Sequence, residues 1–284
     1  MDRPPPHFAE VAAEWSPPEV VSADVLTPGP VAALAALFDQ PNPAPRDGDP
    51  LPPLWHWLYF AEWVPQSELG PDGHPRQGAF LPPLPERRRM FGGGRLTFHG
   101  PLRRGDTVTR RAGVSSVRTR RGGSGWLLLV TVRHEFSMDG EVLAVEERDI
   151  VYRDPGAPSS PGAAADAGAE PGDPWRFELN PDPTLLFRFS ALTANAHRIH
   201  YDLPYATEVE GYPGLVVHGP LLALGLLELP RRFAPELPVR EYAYRARRPV
   251  FAGSPIVLSG GPRPDGAVSL RAGDAFGGTV RLAR

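Results

Sequence analysis

The chain has no cysteine among its 284 residues, so no disulfide, thiolate nucleophile or zinc–thiolate site can form. It has no lysine either. All thirty basic residues are arginine, which excludes Schiff-base catalysis and the lysine of a phosphate-binding P-loop. Net charge is small, formally −3 with a pI near 6.3, so nucleic acid is not an expected partner. Long apolar runs are also missing. The stretches 126–132 and 221–227 are far too short to span a bilayer. The opening MDRPPPHFAEVAAEW lacks the basic-then-apolar pattern of a secretory leader. No membrane partner and a cytoplasmic location are expected.

What is present fits an ordinary globular core: 41% hydrophobic and 22% charged residues. Glycine (30) and proline (37) are plentiful. They concentrate in part in the segment 154–174, DPGAPSSPGAAADAGAEPGDP, which has almost no large apolar residue and reads as a linker. It separates a first unit, 1–153, from a second, 175–284. Their similar sizes suggest two domains or two copies of one fold.

In the first unit a helix is expected over 31–39, then the aromatic run LWHWLYFAEW at 54–63. Strands follow. RLTFHGPLRRGDTVTRRAGVSSVRTR alternates in short pieces, and 126–153 reads as a strand pair about the turn Asp139-Gly140. In the second unit LLFRFSAL (185–192), VREYAYRARRPVF, SPIVLSGG and GTVRLAR all read as strands. Between them lies a helix from Pro220, which suits the first helical position, to Leu229, with Pro230 as its stop. Nearly every residue of that helix is apolar, the pattern of a buried helix. The expected class is α+β: an antiparallel sheet wrapped around a helix, or alternatively a sandwich with the helix on one face.

The chemistry concentrates in 187–220, FRFSALTANAHRIHYDLPYATEVEGYPGLVVHGP. It carries Asn195, His197, Arg198, His200, Tyr201, Asp202 and His218 and runs into the start of the buried helix. A helix N-terminus gathers free N–H groups and the positive end of the dipole. A histidine base, an amide able to orient water, and N–H donors for a developing oxyanion are the parts needed for chemistry beside a carbonyl.

This segment resembles the active-site region of MaoC-like hydratases and dehydratases, whose signature is Asp-x-Asn-Pro-(Ile/Leu/Val)-His followed by Ile/Val-x-His-Gly at a central helix. Against that pattern His200 falls on the catalytic histidine and Ile199 on the apolar position before it. Asn195 stands in place of the aspartate, His197 of the asparagine and Arg198 of the proline. Val217-His218-Gly219 matches the later motif. The NxHRIHYD version is similar to one branch, the type 2 hydroxyacyl-thioester dehydratases and mesaconyl-C4-CoA (3-methylfumaryl-CoA) hydratases. The likeness extends to YATEVEGYPGLVVHGPL and more weakly to EYAYRARRPVF and GGGRLTFHGPLRRGD. It implies a double hot-dog, with the catalytic motif in the second unit alone. It further implies a hydro-lyase acting on an acyl-CoA thioester, with Asn195, His200 and the Gly219 N–H as catalytic groups and no cofactor or metal. His197, Arg198, Val217, His218, Arg245 and Arg247 are the expected substrate contacts. A homodimer is expected by the same analogy.

Plainer readings stand beside these. His197 suits a structural hydrogen bond as well as catalysis, His218 can fix the turn before the helix, and Asp202 suits a helix-terminal bond. Gly92-Gly93-Gly94 precedes strand signals, so it is not a dinucleotide fingerprint; it permits a tight turn or close backbone approach. The clusters Arg87-Arg88-Arg89, Arg103-Arg104 and 118–121, and also Arg248, are solvated faces or contacts for CoA phosphates. Rival functions are a dehydratase of fatty-acid synthesis, a silent acyl-CoA-binding protein and a thioesterase.

Overall fold

The computed structural model describes residues 3–40, 45–85, 88–123, 125–154 and 172–283. Four α-helices, α1 (Pro6–Glu14), α2 (Pro28–Leu37), α3 (Pro183–Leu192) and α4 (Gly219–Phe233), accompany ten strands. The strands are β1 (Val20–Val25), β2 (Arg88–Phe98), β3 (Thr107–Gly122), β4 (Gly125–Met138) and β5 (Glu141–Arg153), then β6 (Trp175–Leu179), β7 (Val239–Ala246), β8 (Ile256–Pro262), β9 (Ala267–Ala272) and β10 (Phe276–Leu282). The expected hairpin forms: β4 and β5 pair antiparallel across Asp139 and Gly140, whose φ angles of 50° and 85° suit a two-residue turn twisted like its strands.

All ten strands join one antiparallel sheet, in the order β1-β3-β4-β5-β2-β7-β10-β9-β8-β6. Numbered from its own start, each run of five follows the order 1-3-4-5-2, and the runs meet where β2 pairs with β7. At that seam Gly93 lies opposite Arg245 and Gly94 opposite Tyr244. A bulge shifts the β2–β5 register between Phe91 and Gly93. Gly93 has φ 153°, and a Cβ there would come within 2.5 Å of the Tyr244 carbonyl oxygen. The glycine run therefore serves close backbone approach. The α+β double hot-dog expectation holds.

Helix α4 is buried from Leu221 to Pro230 and packs on β6, β8, β9 and β10. Each of its six buried leucines contributes about 1.5–3 kcal/mol of burial before entropy is set against it. Tyr242 on β7 donates to the Ala223 carbonyl at 3.2 Å, so the inner face of the sheet meets the helix.

Three expectations need correction. Residues 185–192 are helical, not a strand. Asp182 caps α3 by accepting from the Leu185 N–H at 2.7 Å, Pro183 occupies the first turn, and Leu186, Phe189 and Ser190 fall on one buried face. Pro230 does not stop α4, which continues to Phe233. A proline this close to the end disturbs little of the ladder. The final turn is held by Ala234 N–H bonding to Pro230 O at 2.8 Å and by Arg231 and Arg232 beside buried Glu228, cations at the negative end of the dipole. The helix expected over 31–39 is Pro28–Leu37, and Asp39 has left-handed φ 46°. Most of the expected linker, at 155–171, lies outside the described residues, as does Arg87.

Candidate active site

After α3 the chain turns through Ala194, at φ 52°, into Asn195. The Asn195 N–H donates to Ser190 O at 2.9 Å, and its side-chain oxygen accepts from the His197 N–H at 3.1 Å. That use of the oxygen leaves the amide NH2 as the group able to hold a water or a substrate oxygen. A short 3-10 turn, Arg198–His200, follows and buries Ile199 and His200.

His200 is held from behind. Its Nδ1 lies 2.7 Å from the Val216 carbonyl, which can only accept, so Nδ1 carries the proton and Nε2 keeps a lone pair. Val216 is itself fixed: its N–H donates to Ile199 O at 2.9 Å, and the Val217 N–H donates to Val250 O at 2.8 Å. Burial pushes the His200 pKa down to about 4, against the pull of the Val216 bond. A neutral imidazole with a lone pair on Nε2 is able to accept a proton.

Four imidazoles line up. His218 stacks on His200 with ring centres 3.6 Å apart, His197 meets His200 edge-on at 5.5 Å, and His74 lies 4.0 Å from His197. His218 bonds Ser190 Oγ at 2.8 Å through Nε2, while its buried Nδ1 has no partner. Burial holds His218 well below its ordinary pKa and, with the neighbouring His74 and His200, pushes His197 down to about 2.

Gly219 opens α4, where N–H groups have no partner within the helix. A Cβ there would stand 2.5 Å from Cδ1 of Phe91 on β2. Only glycine lets the aromatic wall come so near the helix mouth. Phe91 stacks in turn with Tyr244 at 5.6 Å and meets Trp57 edge-on at 6.2 Å.

The sequence-predicted residues thus divide. Asn195, His197, His200, Val217, His218 and Gly219 come together. Arg198 is adjacent, but its guanidinium is occupied by Asp202 (2.7 Å), the Pro71 carbonyl (2.9 Å) and the face of Tyr205 (4.1 Å). Asp202 also accepts from the Tyr205 N–H at 3.2 Å, the helix-terminal role expected of it. Arg245 follows Tyr244 on β7, so it points to the sheet face away from α4. Arg247 lies in the turn after β7, its N–H bonded to Ala275 O; both arginines are exposed.

Sequence reasoning missed the loop 66–76 of the first half. Its Asp72 carbonyl accepts from the Arg198 N–H at 2.9 Å, and Asp72 Oδ2 meets His74 Nδ1 at 2.8 Å. Burial works against ionising Asp72, but the hydrogen bond and charge of His74 outweigh it and hold the pKa near 2. The donor atoms of Asp72, His74 and His197 lie within 4.8 Å of one another, close enough to hold a metal ion. The charge of Arg89, however, reaches both imidazoles and disfavours a cation there. The turn signal Pro71-Asp72-Gly73 marks the loop, yet nothing in it points to residues 195–200.

Comparison with known proteins shows the family. A family model described as hydroxyacyl-thioester dehydratase type 2 matches residues 54–252. The chain is 45% identical over 270 residues to a mesaconyl-C(4)-CoA hydratase of Chloroflexus aurantiacus, covering 92% of this chain and 95% of that one. A MaoC-like dehydratase from Phytophthora capsici superposes with a TM-score of 0.69 at 15% identity, covering 98% of each chain. A Mycobacterium tuberculosis protein described as having a double hot-dog fold superposes with a TM-score of 0.51 at 17% identity, again over 98% of each. The chain belongs to the type 2 hydroxyacyl-thioester dehydratase family, hydro-lyases of MaoC-like, double hot-dog architecture.

Proposed function

We propose that this hydro-lyase reversibly adds water across the double bond of an enoyl-CoA thioester, and that its substrate is mesaconyl-C4-CoA (3-methylfumaryl-CoA), giving citramalyl-CoA. The observation that carries the reading is the tautomer of His200. With Nδ1–H committed to Val216, Nε2 is the unprotonated atom, on a ring stacked against His218 at the mouth of α4.

The thioester oxygen rests on the Gly219 N–H, where the helix dipole favours negative charge. The Asn195 amide and His200 Nε2 hold a water against the β-carbon. As the water oxygen bonds to that carbon, its proton passes to Nε2 and the C=C electrons move into the thioester enolate. The imidazolium, made acidic by its burial, returns the proton to the α-carbon, and His200 is regenerated. Dehydration is the reverse.

His197, Val217 and His218 shape the pocket, and Arg198 positions the turn that carries His200. Arg245 and Arg247, exposed and without a carboxylate partner among the described residues, are proposed for the CoA phosphates, which arginine binds bidentately. The proposal also divides the chain at 154–174 into units 1–153 and 175–284, the second carrying the catalytic turn. It extends to a cytoplasmic location and a homodimer. No helix among the described residues is long and apolar enough to cross a membrane.

The family description itself favours a second reading, a 3-hydroxyacyl-thioester dehydratase. Mass spectrometry of enoyl thioesters incubated with the protein decides. Gain of one water by mesaconyl-C4-CoA, well ahead of long-chain enoyl thioesters, is expected. Preference for long chains would select the second reading, and release of free thiol would mark a thioesterase.

A further inference from the structure

A cavity of about 150 Å³ is walled by Trp57, Phe60, Phe136, Arg110 and Arg148 of the first half and by Thr193 of the second. Thr193 caps the C-terminus of α3, two residues before Asn195. Trp57 leans on Phe91, the ring packed over Gly219. Two of its walls therefore connect to the proposed site, Thr193 through the chain and Trp57 through Phe91. It is smaller than the ~300–1,000 Å³ of drug-sized ligand sites, so it suits a short acyl end, not a long alkyl chain.

Its charge is unbalanced. Arg148 is spent on Glu146, a fully buried carboxylate that also takes bonds from His56 Nε2 at 3.1 Å and Trp57 Nε1 at 2.9 Å. Burial alone would raise the Glu146 pKa, but Arg148 and His56 hold it well below the carboxylate range, so this anion is already committed. Arg110, on β3, has no buried carboxylate of this kind among the described residues. Its side chain is 12% exposed, and its contacts to Phe60 O and Glu62 Oε1 are both long at 3.4 Å. Glu62 is itself largely in solvent, at 62% exposure. The Arg110 Nε is buried with no acceptor at all. Arg148 thus has a buried carboxylate at close range, whereas Arg110 has only the long contact to solvent-exposed Glu62, a weak pairing for a largely buried cation.

We propose that this cavity receives the carboxylate at the far end of a short dicarboxylic enoyl thioester, with Arg110 as the residue that selects it. The planar guanidinium offers its two Nη groups to the two carboxylate oxygens in parallel, in place of the long contacts to Phe60 O and Glu62. Trp57, Phe60 and Phe136 enclose the apolar part of the acyl group. The inference rests on the enoyl-thioester reading above and adds the means by which a dicarboxylate is told from a fatty acyl group.

The test compares mesaconyl-C4-CoA with 3-methylcrotonyl-CoA, which has a methyl group where the first has a carboxylate. For Arg110→Gln the ratio of kcat/KM between the dicarboxylic and the neutral substrate falls about 10²–10³-fold, on the scale for removing one partner of a buried charge pair. Arg110→Lys, which keeps the charge but loses the fork, recovers part of that ratio and serves as the readout if Arg110→Gln does not fold. An unchanged ratio in both variants, whether activity on the two substrates is kept or lost together, overturns the inference and leaves Arg110 a structural residue. Failure of the wild-type protein to hydrate either thioester would instead overturn the functional reading, and this inference with it.

Discussion

His200 shows how one backbone carbonyl sets chemistry. Without Val216 the ring could carry its proton on either nitrogen; with it, Nε2 keeps the lone pair that the proposed base requires. The rate should follow. Burial lowers the His200 pKa to about 4, and protonation of Nε2 removes the base, so the acid limb of kcat/KM should fall near pH 4 instead of near 6.5. Initial rates between pH 4 and 8 check this, and half-maximal kcat/KM near 6.5 would contradict it. At this scale the sequence was informative about residue types. The run from Asn195 to Gly219 carries the proposed base, amide and oxyanion donor. It could not supply Ser190 or the Val216 carbonyl, because neither is chemically distinctive until the fold brings it to a ring nitrogen.

At the scale of elements, helix α4 and the β4–β5 hairpin were legible because their signals are local: an all-apolar run behind Pro220, and Asp-Gly between alternating strands. Helix α3 was misread because Phe187, Phe189 and Leu192 suggest a strand, while the deciding signal is the cap Asp182-Pro183 before them. The loop 66–76 was illegible, since its partner turn lies more than a hundred residues away. That docking depends on Gly73. It sits at φ 89°, and a Cβ would lie 1.8 Å from the Ala196 carbonyl oxygen. Gly73→Ala should therefore push the loop off the 195–200 turn, releasing the Arg198 N–H from Asp72 O and lowering kcat at least ~10-fold, as small misplacements of catalytic groups do. The circular dichroism spectrum should stay unchanged. Wild-type kcat in this variant would mean that the loop does not support the site.

Across the whole molecule the two five-strand runs repeat one order, yet they differ in what they bury. The second carries His197, His200 and His218 of the imidazole row, and the first carries His56, Glu146, Arg148 and Arg110. No local pattern in the sequence announced that second cluster, because its members come from three separate elements, a 3-10 turn, β3 and β5. The buried histidines also shape stability. Burial pushes His134 to about 3, His200 to about 4 and His218 well below 6.5, so the native state refuses protons that the unfolded chain accepts. Their contribution is fully present above pH 6.5. It is lost as pH falls from there toward 4, by up to ~1.4 kcal/mol per pH unit for each ring. Thermal melting should thus show a clear drop in Tm between pH 7.5 and 5, and a flat or rising Tm would contradict the burial of these rings in neutral form.

The most direct measurement is the loss of enoyl-thioester absorbance on adding wild-type protein or His200→Ala to mesaconyl-C4-CoA. A base in this position predicts a rate at least about 10²–10⁴-fold lower in the variant, with its fold intact by circular dichroism. Turnover by His200→Ala close to that of the wild type would contradict the assignment.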